Sequence, residues 1–426
     1  METPPFKEAS AVAPVCDTNS RPSADKGLRT VGGIKPRLSH RAARRVDGHH
    51  PVMGTAADAS TSVAARSGVR SRPGVGTVVL VFLAVLMTVA VVLFGATTGL
   101  LAWDVRFAYL PAAESVLDGD SPYPALDDPI LEDQKGYVYP PQLVIALAPL
   151  SALPIDVVAV LVAIGLLALL LLTLRVLGVD DIRCYAAALL WVPSVSGVLL
   201  GNLSIPLAFA LAIAWRYRDA VWQPGVALGL AVAAKLLVWP LLVWTVATRR
   251  WRQTAWALVA GVGITLAAWA AIGFDGLTGY PDLVRKLSEI QAHRSYSFVG
   301  MASTLGLGET VGQVIALAVG GGLLASCVLL ARRGDDPRSF TCAIAATLAL
   351  SPIVWLHYLV LLLVPLAITR PRFSAIWLLP VLLWISPKPG YAEGVLTFAP
   401  AIAAVILLIV MLRRPTREPA PPALAA

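Results

Sequence analysis

VGTVVLVFLAVLMTVAVVLFGATTGLLAWD, residues 75 to 104, carries no charged side chain until its last position, Asp104. At 1.5 Å of rise per residue, about 20 apolar residues cross the ~30 Å hydrocarbon core of a bilayer. This run is therefore a membrane helix that stops at a polar boundary. Similar apolar runs recur downstream of it in a chain of 426 residues, of which 57% are hydrophobic and only 14% charged, with a mean hydropathy of +0.73. Soluble chains are about half apolar and a quarter charged, so a water-soluble enzyme of this length is excluded. Lipid admits only helices or closed barrels, and the alternating pattern of a barrel strand is absent. The expected fold class is an all-α polytopic membrane protein.

Charge on either side of that first run orients it. Residues 1–75 hold twelve Lys/Arg against six Asp/Glu, a net +6, in a Ser-, Pro-, Gly- and Ala-rich segment. Without periodic apolar positions such a segment cannot offset its ordering entropy, and it is expected to be a disordered cytoplasmic tail. Residues 101–139 carry eight acids against Arg106 and Lys135, a net −6. By the positive-inside rule the N-terminus is cytoplasmic and the 101–139 loop faces the other compartment. The later basic clusters, Arg175/Arg183, Arg216/Arg218, Arg249/Arg250/Arg252, Arg332/Arg333/Arg338, Arg370/Arg372 and Arg413/Arg414/Arg417, all return to the cytoplasm if each neighbouring pair is joined by two crossings. About twelve transmembrane helices result, with residues 76–412 as the membrane domain and 413–426 as a cytoplasmic Pro/Ala-rich tail. Expected breaks fall at Gly201-Asn202, Lys235 to Pro240, Ser351-Pro352 and Ser386 to Gly390, with a polar loop from Ile272 to Gly308. Residues 142–153 are too few to span and read as an interfacial or re-entrant helix. Irregular backbone at membrane depth must line water or be enclosed by protein, so these breaks imply a cavity.

The same topology gathers chemistry-bearing residues on the far face: Asp104 past the first helix, Tyr139 in YVYPP, Asn202, Lys235, Arg294 and His357 at or near the later breaks. An acid at a helix end is usually a solvated interface residue, and Tyr-Pro-Pro is usually a turn on the aromatic belt. Lys235 is harder to read blandly, because an ammonium flanked by AVAA and LLVW is a functional candidate by default. Neither a metal cluster nor a phosphate-cradling glycine loop is present, and the four cysteines show no CxxC spacing. One acid near the bilayer surface and several cations near membrane depth suit an acceptor deprotonated by a carboxylate and a donor whose phosphate is held by cations.

The residues Trp103-Asp104 through Tyr109, Gly119-Asp120, Pro122-Tyr123 and Tyr137-Val-Tyr139-Pro-Pro resemble the first luminal block of glycosyltransferase family 87. The resemblance continues through Gly201-Asn202, Gly225 to Gly229 with Lys235 and Pro240, and Ser351-Pro352-Ile-Val-Trp-Leu-His357-Tyr358, covering roughly residues 77 to 412. It implies a GT-C fold with the active site on the periplasmic side of the cell membrane. It also implies a polyprenyl-phosphate sugar donor, a glycolipid or lipoglycan acceptor, inversion at the sugar carbon, and no cofactor, metal or nucleic-acid partner. Asp104 matches the expected general base. Lys235, His357 and Arg294 would surround the donor phosphate, with Tyr139 and Asn202 contributing to substrate binding. A second histidine beside His357, expected in some relatives, is missing here. The resemblance points to an α-(1→2) mannosyltransferase acting on a lipid-linked mannan or phosphatidylinositol mannoside. A decaprenyl-phosphate-arabinose-dependent arabinofuranosyltransferase and a lipid flippase are the alternatives. The Ala- and Arg-rich composition fits a high-GC actinobacterium.

Overall fold

The computed structural model describes residues 74–385 and 394–413, and every described element is helical. The expected tails over 1–75 and 413–426 lie almost wholly outside the described residues, as does the expected break at Ser386 to Gly390.

The quoted run forms helix α1, Val75–Thr98, closed by Gly99 at φ 72°, the left-handed cap that glycine adopts without penalty. A turn then leads through Asp104 into a π-helical turn, Val105–Tyr109, and helix α2, Leu110–Asp118. After the acidic loop come α3, Gln142–Leu147, with a 3-10 extension to Ala152, and α4, Ile155–Val176. The short element at 142–152 matches the expected interfacial or re-entrant piece in position and length.

Next come α5, Ile182–Leu190, α6, Val192–Leu200, and α7, Ser204–Arg216. The Gly201-Asn202 break separates α6 from α7, but a second break precedes it: α5 and α6 meet at 61° across Trp191. Pro193 is the cause, because a proline in the first turn of a helix lacks the N–H and clashes with the preceding turn, so α5 cannot run on. Helix α8, Gln223–Ala234, and α9, Pro240–Ala247, flank the Lys235 break. Helix α10, Trp251–Ala271, follows, packed closely on α8. Added Cβ atoms on Gly225 and Gly229 would collide with backbone of α10 at Gln253 and Ala257. Small residues four apart allow this approach between membrane helices.

Residues 273–308 depart from the expected polar loop. They contain α11, Tyr280–Gln291, which is strongly amphipathic, and α12, Phe298–Thr304. Charged residues at Asp282, Arg285, Lys286 and Glu289 make the segment look like a loop in composition, whereas Tyr280, Leu283, Val284 and Leu287 recur at helical spacing. The chain ends with α13, Glu309–Arg332, α14, Asp336–Ala349, 3-10 turns over Leu356–Leu362 leading into α15, Leu363–Thr369, and a further 3-10 run, Ala375–Ile385, before α16, Phe398–Leu412.

Among the described residues four helices, α1, α4, α10 and α13, are long and apolar enough to cross a membrane, or five if the bent α5–α6 pair is one span. Their outward faces are apolar, as with Phe82, Phe94, Val259, Val262 and Val314, all more than half exposed. That places an integral membrane protein in lipid. The remaining apolar helices are shorter.

Candidate active site

The breaks surround a cavity of about 1160 Å³. Asp104, Tyr139, Asn202, Lys235 and His357 all line it, together with Tyr109 and Tyr358. Five of the six residues expected from sequence therefore share one wall system, although they span some 250 positions of chain.

Asp104 reaches the cavity because the turn after α1 is docked on the turn after α6. Ala102 sits at φ 56°, a left-handed conformation uncommon outside glycine, and Gly201 at φ 66° faces it. A Cβ on Gly201 would meet the Ala102 and Val105 side chains and the Ala102 backbone, so only glycine permits this contact. Arg106 steadies the same turn: its Nε donates to the Leu101 carbonyl at 2.8 Å and its guanidinium pairs with Asp156 at 2.6 Å. Asn202 Nδ2 then donates to Asp104 Oδ2 at 2.7 Å, and the Tyr109 hydroxyl donates to the same oxygen at 3.2 Å. Asn202 is itself held, its Oδ1 accepting from the Ser204 N–H at 3.1 Å and hydroxyl at 2.9 Å. Burial pushes the Asp104 carboxyl above the usual carboxylate range, while the Asn202 donor, the Lys235 charge and the Tyr109 hydroxyl pull the other way.

Lys235 occupies the extended residue (φ −154°, ψ 111°) between α8 and the 3-10 turn Leu236–Val238. Its ammonium donates to the Tyr358 hydroxyl and, at 3.4 Å, to that of Tyr139, and lies 3.8 Å from the Tyr358 ring centroid. Among the described residues no carboxylate forms an ion pair with it. Tyr139 is fixed by its neighbours: the Tyr123 hydroxyl donates to its carbonyl at 3.1 Å and the Tyr280 hydroxyl to that of Val138 at 3.1 Å. Gln142 donates to the Ala233 carbonyl, tying the start of α3 to the break that carries Lys235.

His357 follows the Ser351-Pro352 break in a 3-10 turn and is buried, with its ring edge-on to Tyr358 at 4.9 Å. Among the described residues its Nε2 has no hydrogen-bond partner. A buried polar atom left unpaired carries a desolvation cost of about 1–3 kcal/mol, which a ligand atom in the cavity would relieve.

Arg294 is the exception. It is exposed in the 3-10 turn after α11 and is absent from the cavity wall. The amphipathic α11 turns Tyr280, Val284, Leu287, Ser288 and Gln291 toward the cavity, and the turn beyond it carries His293 and Arg294 outward. Asp127, Asp128 and Glu132 are exposed, as solvated loop charges would be. Among the described residues no three His, Cys, Asp or Glu side chains gather where they could hold a metal ion.

Tyr109 and Tyr358 are site residues that composition and spacing did not single out. Tyr358 had a signal, being next to His357. Tyr109 had almost none, since five positions along an α-helix turn a side chain about 140° away. The π-helical turn, which pairs residue i with i+5, brings it back to Asp104.

Two features of the cavity define its chemistry: it opens onto lipid-facing side chains of α1, α10 and the Lys235 break, and its mostly apolar wall carries a few polar groups, Asp104, Asn202 and Lys235 among them. The family model of Glycosyltransferase family 87 matches residues 137–354, half of the chain, and the chain belongs to that family: it is a membrane glycosyltransferase. Asn202, Lys235 and Arg294 fall within the matched segment, Asp104 before it and His357 just after.

Two curated relatives come from Mycolicibacterium smegmatis. A polyprenol-phosphate-mannose-dependent alpha-(1-2)-phosphatidylinositol pentamannoside mannosyltransferase is 27% identical over 305 residues, covering 66% of this chain and 68% of its own. A polyprenol-phosphate-mannose-dependent alpha-(1-2)-phosphatidylinositol mannoside mannosyltransferase is 26% identical over 312 residues, covering 63% and 70%. No solved structure matches the chain.

Proposed function

We propose that this glycosyltransferase moves mannose from polyprenyl-phosphate mannose to a phosphatidylinositol mannoside or related lipid-linked mannan, forming an α-(1→2) linkage with inversion. The observation that carries this reading is the make-up of this cavity. Phe94, Leu236, Trp239, Leu258, Val262 and Leu266 are all exposed on the lipid-facing surface and line it. Asp104 and Lys235 are among the polar groups on its wall. A donor with a long apolar tail and an anionic phosphate fits such a site in both halves. The named activities of the two relatives support the sugar and the acceptor.

In the proposed reaction the acceptor hydroxyl oxygen forms a bond to the sugar C1. The bond between C1 and the phosphate oxygen breaks on the opposite face, so a β-linked donor yields an α-glycoside. The hydroxyl proton passes to Asp104, the general base, and the leaving group departs as polyprenyl phosphate. Lys235 holds the phosphate and the charge that builds on it, with His357 beside it on the cavity wall. Tyr139 keeps Lys235 on the cavity wall. Arg294 is exposed and does not line the cavity, so this mechanism gives it no role.

The same reading makes residues 76–412 one GT-C domain of about twelve crossings. Its acidic 101–139 loop and active site then lie on the extracytoplasmic side of the cell membrane. An Ala125→Cys substitution in that loop, where Ala125 is exposed, tests this placement. It should react with an impermeant thiol reagent in intact cells, and labelling only after lysis would overturn the topology. Purified protein given polyprenyl-phosphate mannose and a short mannoside should form a product cleaved by an α-(1→2)-specific mannosidase. Transfer from polyprenyl-phosphate arabinose in place of mannose would replace the sugar assignment.

A further inference from the structure

The hydrogen bonds at Asp104 are unevenly shared between its two oxygens. Both protein donors, Asn202 Nδ2 at 2.7 Å and the Tyr109 hydroxyl at 3.2 Å, arrive at Oδ2. Among the described residues nothing donates to Oδ1, and Asp104 lines the cavity. The two donors come from separate elements, the π-helical turn after Asp104 and the 201–204 turn between α6 and α7. Asn202 is almost fully buried and cannot swing, because its own Oδ1 is gripped by the N–H and hydroxyl of Ser204, also buried.

The geometry points to Asn202 and Tyr109 as positioning residues that clamp Oδ2 of Asp104 and leave Oδ1 as the oxygen that takes the acceptor proton. This rests on Asp104 being the base. It reassigns Asn202 from contacting substrate to orienting the carboxylate. A carboxylate with one oxygen held by two donors loses its rotational freedom, so the lone pairs of the free oxygen are aimed before the acceptor arrives. Neutral donors suit the task. An arginine in place of Asn202 would stabilise the carboxylate so far that it became a poor proton acceptor. The proton balance is closed: the acceptor O–H proton moves to Oδ1, the O–C1 bond forms, and the C1–phosphate bond breaks.

The charged and titratable groups facing Asp104 are Lys235 at the α8–α9 break, Tyr109 on its own turn, Tyr139 before α3, and Tyr358 after the 351–352 break, with His357 beside Lys235. Asn202→Ala and Tyr109→Phe leave all the charges in place and remove one donor to Oδ2 each.

The experiment measures kcat and donor KM against pH for the wild type, Asn202→Ala, Tyr109→Phe and Asp104→Asn, with the melting temperature of each. Asn202→Ala should lower kcat by about tenfold to a hundredfold, the size of a hydrogen bond to a charged group, with little change in donor KM. Tyr109→Phe should act in the same direction and less, its bond being longer. In both, the acidic limb of kcat should move to higher pH, because a donor that favours the ionised carboxylate has gone. A purely structural role would lower the melting temperature and leave the limb where it was. If Asp104→Asn abolishes turnover while both limbs stay at the wild-type position, the clamp is overturned and the base assignment stands. If Asp104→Asn retains turnover, the base assignment falls and the clamp falls with it.

Discussion

Asp336 and Asp104 are both carboxylates drawn in among helices, and the protein treats them in opposite ways. Asp336, in the first turn of α14, has both oxygens occupied. Oδ1 accepts from the Trp244 indole at 2.7 Å and from Arg250 at 3.1 Å, and Oδ2 pairs with Arg250 at 2.6 Å and Arg218 at 3.5 Å. The two guanidinium groups are stacked in turn, Arg218 over Trp215 at 4.4 Å and Arg250 over Trp244 at 4.9 Å. Asp104 has two neutral donors on one oxygen, none on the other, and no ion pair within 4 Å among the described residues. Near it, among the described residues, stand a lysine paired only with phenols and a histidine nitrogen without a hydrogen-bond partner. A saturated cluster fastens helix ends together. An unsaturated one of similar composition holds its capacity for something that arrives, and this is how the two are told apart.

The comparison breaks most sharply at Asp104. Asp104→Asn keeps the side-chain shape and removes the proton acceptor, so turnover should fall by about 10²–10⁴-fold with an unchanged melting temperature. In the wild type the carboxylate must be ionised to act. Its ionisation lies above the ordinary carboxylate range, so activity should fade on acidification at a higher pH than an exposed Asp would give. A variant that turns over normally, measured where chemistry limits the rate, removes Asp104 from the mechanism.

Lys235→Met should come next. Losing a charge-assisted contact to the donor phosphate is a loss of about 1.5–3 kcal/mol, roughly a tenfold to a hundredfold rise in donor KM. Acceptor KM should hardly move. His357→Ala should act in the same direction with a smaller effect, and unchanged donor dependence in both variants would mean that the phosphate lies elsewhere.

Asp336→Asn should show the reverse pattern, with normal kcat per folded molecule and a lowered melting temperature. Breaking a fully buried pair costs about 3–5 kcal/mol. The partial exposure here, 22% for Asp336 and 17% for Arg250, reduces that to about 1–3 kcal/mol. A catalytic defect without a stability defect would show that the saturated cluster is also part of the site. The smallest effect belongs to Asp128→Asn. That exposed acid only accepts from the Ile130 N–H, at 2.9 Å, and asparagine can do the same. Activity and stability should both stay near wild type, and a large loss would return the acidic loop to the mechanism.

Charge and hydropathy are properties of local sequence, and by themselves they determined the membrane class, the α1, α4, α10 and α13 helices, and the placing of breaks at Asn202, Lys235 and Ser351. They also marked Asp104, Tyr139, Asn202, Lys235 and His357, because polar side chains among long apolar runs are costly and so conspicuous. Other features were decided only in three dimensions. Amphipathic α11 hides in a segment whose average composition is that of a loop, and Arg294, a cation in the expected place along the chain, ends on the outer side of the turn after it. Tyr109 joins Asp104 only because a π-helical turn alters the helical phase, and Asn202 meets the acid only because Gly201 lets two distant turns touch. Sequence spacing predicts which side chains share a helix face when the pitch is regular. Contacts made where the helices break depend on the packing of the whole bundle, and there the tertiary structure decides.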